Sequence, residues 1–184
     1  MTMTVPNLLT FFRIFLTPYL VWLLLNNRID HALVVFFVAG ITDGLDGLIA
    51  RMFHQKSKLG AYLDPLADKL LLVSSFVMLG HLRLIPSWLV IIAVSRDAVI
   101  LLGLMTLCFF QIHVEIKPTV LSKMTTLLQL LTVLLVLSTS VVALPAWGLS
   151  ILFVSTAVLS VASGLHYITV GIRLLDTGWF GKPN

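Results

Sequence analysis

Four of the chain's eight acidic residues, Asp43, Asp46, Asp64 and Asp68, crowd into residues 43–68. Asp43 and Asp46 are three apart, and Asp64 and Asp68 are four apart. Each spacing puts two carboxylates on one face of a helix. Only a short loop separates the two pairs, so their helices should be antiparallel neighbours with all four acids at one depth. Carboxylates crowded in a low-dielectric pocket cannot all stay ionised unaided. Either some carry protons or cations hold them together. Hard divalent ions take oxygen ligands, and magnesium favours carboxylates combined with substrate phosphates. Two Mg2+ or Mn2+ ions would neutralise the cluster and leave open positions for a pyrophosphate.

Glycines and cations surround the acids. Gly40, Gly44 and Gly47 form a stripe of small residues beside them, and Gly60 opens the next helix at the same junction. Such stripes let backbones approach closely; here they also leave room for a nucleotide. Arg51 offers a fork for a phosphate, or equally an anchor at a membrane edge. Lys69 follows Asp68 directly, as a charge partner or a snorkelling side chain. Arg13, Arg96, Asp97 and Lys123 are further ionisable groups within apolar runs, where such groups need a reason. The three cations can converge on the acids or on an anionic substrate. Arg96 and Asp97 are adjacent, so a simple mutual pair is not assured.

The elements that must position these residues are apolar helices. Of 184 residues, 59% are hydrophobic and 11% charged. A soluble domain carries roughly a quarter charged residues, so this chain has too few for a water-facing surface. A membrane helix needs about 20 mostly apolar residues. Six runs qualify, near 7–25, 31–53, 60–81, 86–109, 121–143 and 147–172. Backbone in lipid must pair internally, so each run is a helix. The expected fold is all-α: one polytopic membrane domain over 1–184, with six transmembrane helices. Arg51, Lys56, Lys58, Lys117, Lys123, Arg173 and Lys182 lie towards one side, against Arg28 and Arg83 on the other. By the positive-inside rule, both termini and the acidic cluster face the cytoplasm. The membrane would be a bacterial inner membrane or an organellar one. The net charge of +4 suits anionic headgroups, with no sign of a nucleic-acid partner.

Finer expectations follow from single residues. The first residues carry no Lys or Arg ahead of an apolar stretch, unlike a cleavable signal. Pro18 should kink the first helix. Residues 177–184 read as a short cytoplasmic tail. The lone Cys108 supports neither a disulfide nor a zinc site.

The order Asp43-x2-Asp46-Gly47-x2-Ala50-Arg51-x8-Gly60-x3-Asp64-x3-Asp68 resembles the signature of the CDP-alcohol phosphatidyltransferase family. The opening Pro6-Asn7-Leu8-Leu9-Thr10-x2-Arg13 and the run Leu59 to Lys69 are similar to those of phosphatidylglycerophosphate synthases and cardiolipin synthases. The resemblance implies six membrane helices, a homodimer and two divalent metals. It implies that Asp43, Asp46, Asp64 and Asp68 surround the metals, that Asp68 is also the general base, and that Gly47, Arg51 and Gly60 lie against the CDP moiety. CDP-diacylglycerol is then the phosphatidyl donor, and CMP leaves.

The acceptor alcohol is phosphatidylglycerol, giving cardiolipin, or glycerol 3-phosphate. Phosphatidylglycerophosphate synthases carry Gly-Lys-x-Lys-Thr on the fifth helix. Here Ser122-Lys123-Met124-Thr125-Thr126 puts Thr125 where the second lysine would stand. That loss favours phosphatidylglycerol, with Arg96 and Lys123 as acceptor-binding residues. A divalent metal transporter also keeps carboxylates in the membrane. It would show paired broken helices or repeats, and it has no use for Arg51 or Lys69 beside a cation site.

Overall fold

A computed structural model describes residues 5–52, 60–109 and 119–180, with side chains outside that set at 5–9, 43–52, 60–65, 104, 106–109 and 172–180. The described residues form six helices and no strand: α1 (Val5–Leu25), α2 (Ile29–Met52), α3 (Gly60–His81), α4 (Ser87–Phe109), α5 (Val120–Ser138) and α6 (Ala146–Phe180). Each of the six apolar runs is one helix. Two of them, over Val120–Ser138 and Ala146–Gly171, are long and apolar enough among the described residues to cross a membrane.

Two boundaries differ from the hydropathy reading. α5 ends at Ser138 rather than near 143, because hydroxyls cap it. Ser138, Thr139 and Ser140 donate to the carbonyls of Leu135, Val136 and Leu137 at 2.8, 2.6 and 3.0 Å. These bonds satisfy carbonyls that the end of a helix leaves without partners. α6 instead continues to Phe180, so residues 177–180 are helix rather than tail. No proline interrupts that stretch until Pro183. α1 runs through Pro18 as one continuous helix.

The turns after α1 and α3 share one design. Asn27 and Arg83 have positive φ, 54° and 58°. Behind Asn27, the Arg28 N–H bonds Leu23 O at 2.9 Å and the Asn27 N–H bonds Leu24 O at 3.0 Å. Behind Arg83, Leu84 reaches Leu79 O and Arg83 reaches Gly80 O at 2.9 and 3.0 Å. Both are Schellman motifs, in which one left-handed residue closes the helix. They fold α1 back on α2 and α3 back on α4.

α1 packs on α2 and α3; α3 also meets α4 and α5; α6 lies against α4 and α5. Leu20, Leu24, Phe36, Leu72, Phe76, Leu79, Leu89 and Val133 form the apolar centre. The periphery is apolar too: Phe15, Ile91 and Trp147 are 73%, 65% and 71% exposed. Polar groups are inside. Thr125, Gln129 and Thr132 of α5 face Thr156, Ser160 and Ser163 of α6, all buried. Thr132 and Thr156 share a hydroxyl hydrogen bond of 2.8 Å, and Thr125 donates to Leu159 O at 3.2 Å.

Candidate active site

The candidate residues lie where α2 ends and α3 begins. Asp43, Asp46, Gly47 and Arg51 occupy the last turns of α2; Gly60 and Asp64 occupy the first turns of α3. Their backbone is helical as expected, and their side chains lie outside the described residues. Asp68, one turn after Asp64, has a described side chain. It forms an ion pair with Arg13 Nη1 of α1. Arg13 is wholly buried, whereas the Asp68 side chain keeps 38% of its surface exposed. Thr17 anchors the same stretch of α1 by donating to Arg13 O at 3.0 Å. A guanidinium is more weakly hydrated than an ammonium, which suits it to a buried ion pair.

Lys69 points to the other flank of α3. Its Nζ lies 2.5 Å from Asp97 Oδ1 of α4. Arg96 Nη1 donates to the same oxygen at 2.6 Å. So the neighbours Arg96 and Asp97 do pair: the long arginine side chain reaches round to its shorter neighbour, which sequence adjacency did not guarantee. Arg96 Nη2 donates to Ser122 Oγ of α5 at 2.6 Å and to Ser163 Oγ of α6 at 3.2 Å. One guanidinium thus ties α4, α5 and α6 together.

Of the cations expected to converge, Arg13 reaches the acidic cluster at Asp68. Arg96 is committed to Asp97 and two serines, and it is 3% exposed. Lys123 is exposed on α5. Thr125, which stands where the second lysine of phosphatidylglycerophosphate synthases would be, also lies inside the bundle. Its side chain is fully buried in the α5–α6 seam, donating to Leu121 O and Leu159 O.

Sequence reading missed the link from Lys69 to Asp97. A lysine and an aspartate in two successive apolar helices were its only signal. It also missed a groove of about 290 Å3 between α2 and α5, lined by Phe36, Phe37, Gly40, Leu127, Leu131 and Leu134. Gly40 is about one helical turn before Asp43 in α2, so the groove ends near the acidic stretch of that helix. No group of three or more metal-ligating side chains occurs among the described residues; three of the four aspartates are outside that set.

Comparison with known proteins bears on the same residues. Cardiolipin synthase (CMP-forming) of Rattus norvegicus is 38% identical over 143 residues, which cover 69% of this chain and 47% of that protein. A probable cardiolipin synthase (CMP-forming) of Drosophila melanogaster is 40% identical over 145 residues, 70% of this chain and 45% of its own. Cardiolipin synthase (CMP-forming) of Streptomyces coelicolor is 36% identical over 105 residues, 54% and 49%. The chain spans about half the length of the curated relatives it matches. The family profile for CDP-alcohol phosphatidyltransferase matches residues 3–169, from before α1 to within α6. With the aspartate pairs at the end of α2 and the start of α3, and that match running from before α1 into α6, the chain belongs to the CDP-alcohol phosphatidyltransferase family.

Proposed function

We propose that this chain transfers a phosphatidyl group from CDP-diacylglycerol to phosphatidylglycerol, forming cardiolipin and releasing CMP. The observation that carries the reading is Asp68. It is a partly exposed carboxylate held from behind by a buried arginine, at the junction that bears three more aspartates. The resemblance to proteins named cardiolipin synthase (CMP-forming) supports the choice of acceptor.

In this reading Asp68 takes the proton of the acceptor hydroxyl. The oxygen attacks the lipid-side phosphorus of CDP-diacylglycerol. The new P–O bond forms as the bond to the CMP oxygen breaks. Asp43, Asp46, Asp64 and Asp68 form an all-carboxylate donor set, which fits hard divalent ions. They would hold two Mg2+ or Mn2+, which when bound offset the charge on the pyrophosphate. Gly47, Arg51 and Gly60 would lie against the CDP moiety. Arg96 would brace the acceptor side through Ser122, with the exposed Lys123 as a second cation. The α2–α5 groove would take an acyl chain of a lipid substrate.

We place the six helices across a membrane, with the acidic ends of α2 and α3 towards the cytoplasm, and two copies paired. The apolar periphery and the buried polar seam support a lipid setting: an exterior carrying Phe15, Ile91 and Trp147 suits hydrocarbon better than water.

The test uses the protein in detergent with CDP-diacylglycerol and magnesium. One sample receives phosphatidylglycerol and another glycerol 3-phosphate. CMP release with phosphatidylglycerol, lowered about 100-fold or more in Asp68→Asn, is expected. Release with glycerol 3-phosphate alone would make the chain a phosphatidylglycerophosphate synthase. Undiminished release in Asp68→Asn would remove Asp68 as the base.

A further inference from the structure

Two cations share one carboxylate oxygen on the α4 side of α3. Lys69 Nζ and Arg96 Nη1 both meet Asp97 Oδ1, at 2.5 and 2.6 Å. Asp97 and Arg96 are buried, with side chains 4% and 2% exposed, while the Lys69 side chain is 19% exposed. Arg96 Nη2 donates to the hydroxyls of Ser122 and Ser163 and to Ser122 O, none of which brings charge, while Nε is buried with no partner among the described residues. The trio therefore carries a formal charge of +1 in a largely buried setting, where excess charge is disfavoured, with the adjacent Asp68 carboxylate as its nearest further anion.

The surplus belongs to Lys69. Without it, Arg96 and Asp97 are a one-to-one pair whose guanidinium still has both serines. The pairing of α4, α5 and α6 does not need the lysine. An ammonium has three N–H donors, and Asp97 is the one acceptor that Lys69 has among the described residues. Lys69 also follows Asp68 in the chain. The two side chains leave α3 on different flanks, Asp68 towards α1 through Arg13 and Lys69 towards α4 through Asp97.

We infer that Lys69 binds the phosphodiester of the acceptor lipid, an inference that rests on the proposed function. That group is a monoanion, matching the charge the trio lacks. In phosphatidylglycerol a three-carbon glycerol separates the reacting hydroxyl from the phosphodiester. With that hydroxyl at Asp68, the spacer would let the phosphate extend round α3 towards its α4 flank, where Lys69 lies. The donor's pyrophosphate belongs with the α2–α3 aspartates, whereas Lys69 turns towards α4. An ammonium meeting a phosphate oxygen makes a charge-assisted hydrogen bond. Asp97 keeps Arg96 as its counter-ion when Lys69 turns to substrate.

The experiment measures KM for each lipid separately, as mole fraction in mixed micelles, for the native chain, Lys69→Met and Lys69→Arg. Lys69→Met is expected to raise KM for phosphatidylglycerol about tenfold or more. Its KM for CDP-diacylglycerol and its kcat at saturating acceptor should stay within about twofold, and Lys69→Arg should restore most of the loss. Thermal unfolding of Lys69→Met should match the native midpoint, since Arg96 and Asp97 remain paired. A rise in KM for CDP-diacylglycerol instead would assign Lys69 to the donor and overturn the inference. A fall in kcat with both KM values unchanged would make it a positioning residue for Asp68, also against the inference. A native chain that releases CMP only with glycerol 3-phosphate would overturn the proposed acceptor itself, which the Lys69 variants alone cannot do.

Discussion

Arg13 and Asp68 show what a single contact asks of the chain. The guanidinium is sealed inside while its carboxylate partner faces outward in part. Removing a group that orients a functional side chain costs activity by about ten- to a hundredfold in comparable settings. Arg13→Met should lower kcat for CMP release by that amount. Arg13→Lys keeps the charge but loses the planar fork, so it should recover part of the loss. Equal kcat in the native chain and Arg13→Met would show that Asp68 is oriented without α1. At this scale the helical placement of the acids was legible, because their spacing is a property of one helix at a time. The partners of Lys69 and Arg96 were not. Which side chains meet across two helices depends on how each helix is rotated, and no run of sequence encodes that alone. Thr125 makes the same point: the sequence showed only that a lysine is absent there, and helix rotation sets the threonine into the α5–α6 seam.

The helices were legible as elements because apolar length is a local property. Their ends were less so, since ends are set by caps. The hydroxyls at Ser138, Thr139 and Ser140 stop α5 inside an apolar run that hydropathy carries onward. The left-handed turns were equally hidden at Arg83, because arginine gives no signal for positive φ. That conformation costs an L-residue roughly 1–2 kcal/mol. Glycine adopts it freely but loses more entropy on folding. Arg83→Gly should therefore stabilise the chain by about 0.5–1 kcal/mol. The readout is the thermal midpoint in detergent. Asn27→Gly should gain less, because asparagine already tolerates the left-handed region. An unchanged or lower midpoint in Arg83→Gly would mean that the arginine side chain contributes more than its backbone costs.

Across the whole molecule, polarity runs opposite to that of a water-soluble bundle. Threonines, serines and Gln129 sit between α5 and α6, and large apolar side chains face out. Hydrogen bonds of this kind inside membrane proteins average about 0.6 kcal/mol, so the seam specifies helix register more than it adds stability. Gln129 tests this. Its Nε2 donates to Ser160 over a long 3.4 Å, and its Oε1 is buried with no hydrogen-bond partner among the described residues. Gln129→Leu keeps the volume and removes an unsatisfied carbonyl, so its unfolding free energy should change by less than about 1 kcal/mol. A loss of several kcal/mol would show the amide to be a central tie of the bundle. The sequence could supply the list of polar residues in apolar runs but not this inversion, which appears only once six helices share one interior.

The α1–α3 ion pair also has a consequence for biosynthesis. Arg13 and Asp68 are 55 residues apart in the chain. At about 5–20 residues per second, the arginine leaves the ribosome some 3–11 seconds before that carboxylate. In a bilayer, an arginine at mid-depth costs roughly 2.5–3.5 kcal/mol on insertion scales. In the membrane arrangement proposed above, the first helical hairpin should therefore enter poorly on its own and settle when α3 arrives. Nascent chains halted after α2 should be extracted by alkali and chains halted after α4 retained, with Arg13→Leu retaining the shorter chains as well. Assembly of the site and insertion of the first helix would then be a single event, timed by when the translocon has received both charges.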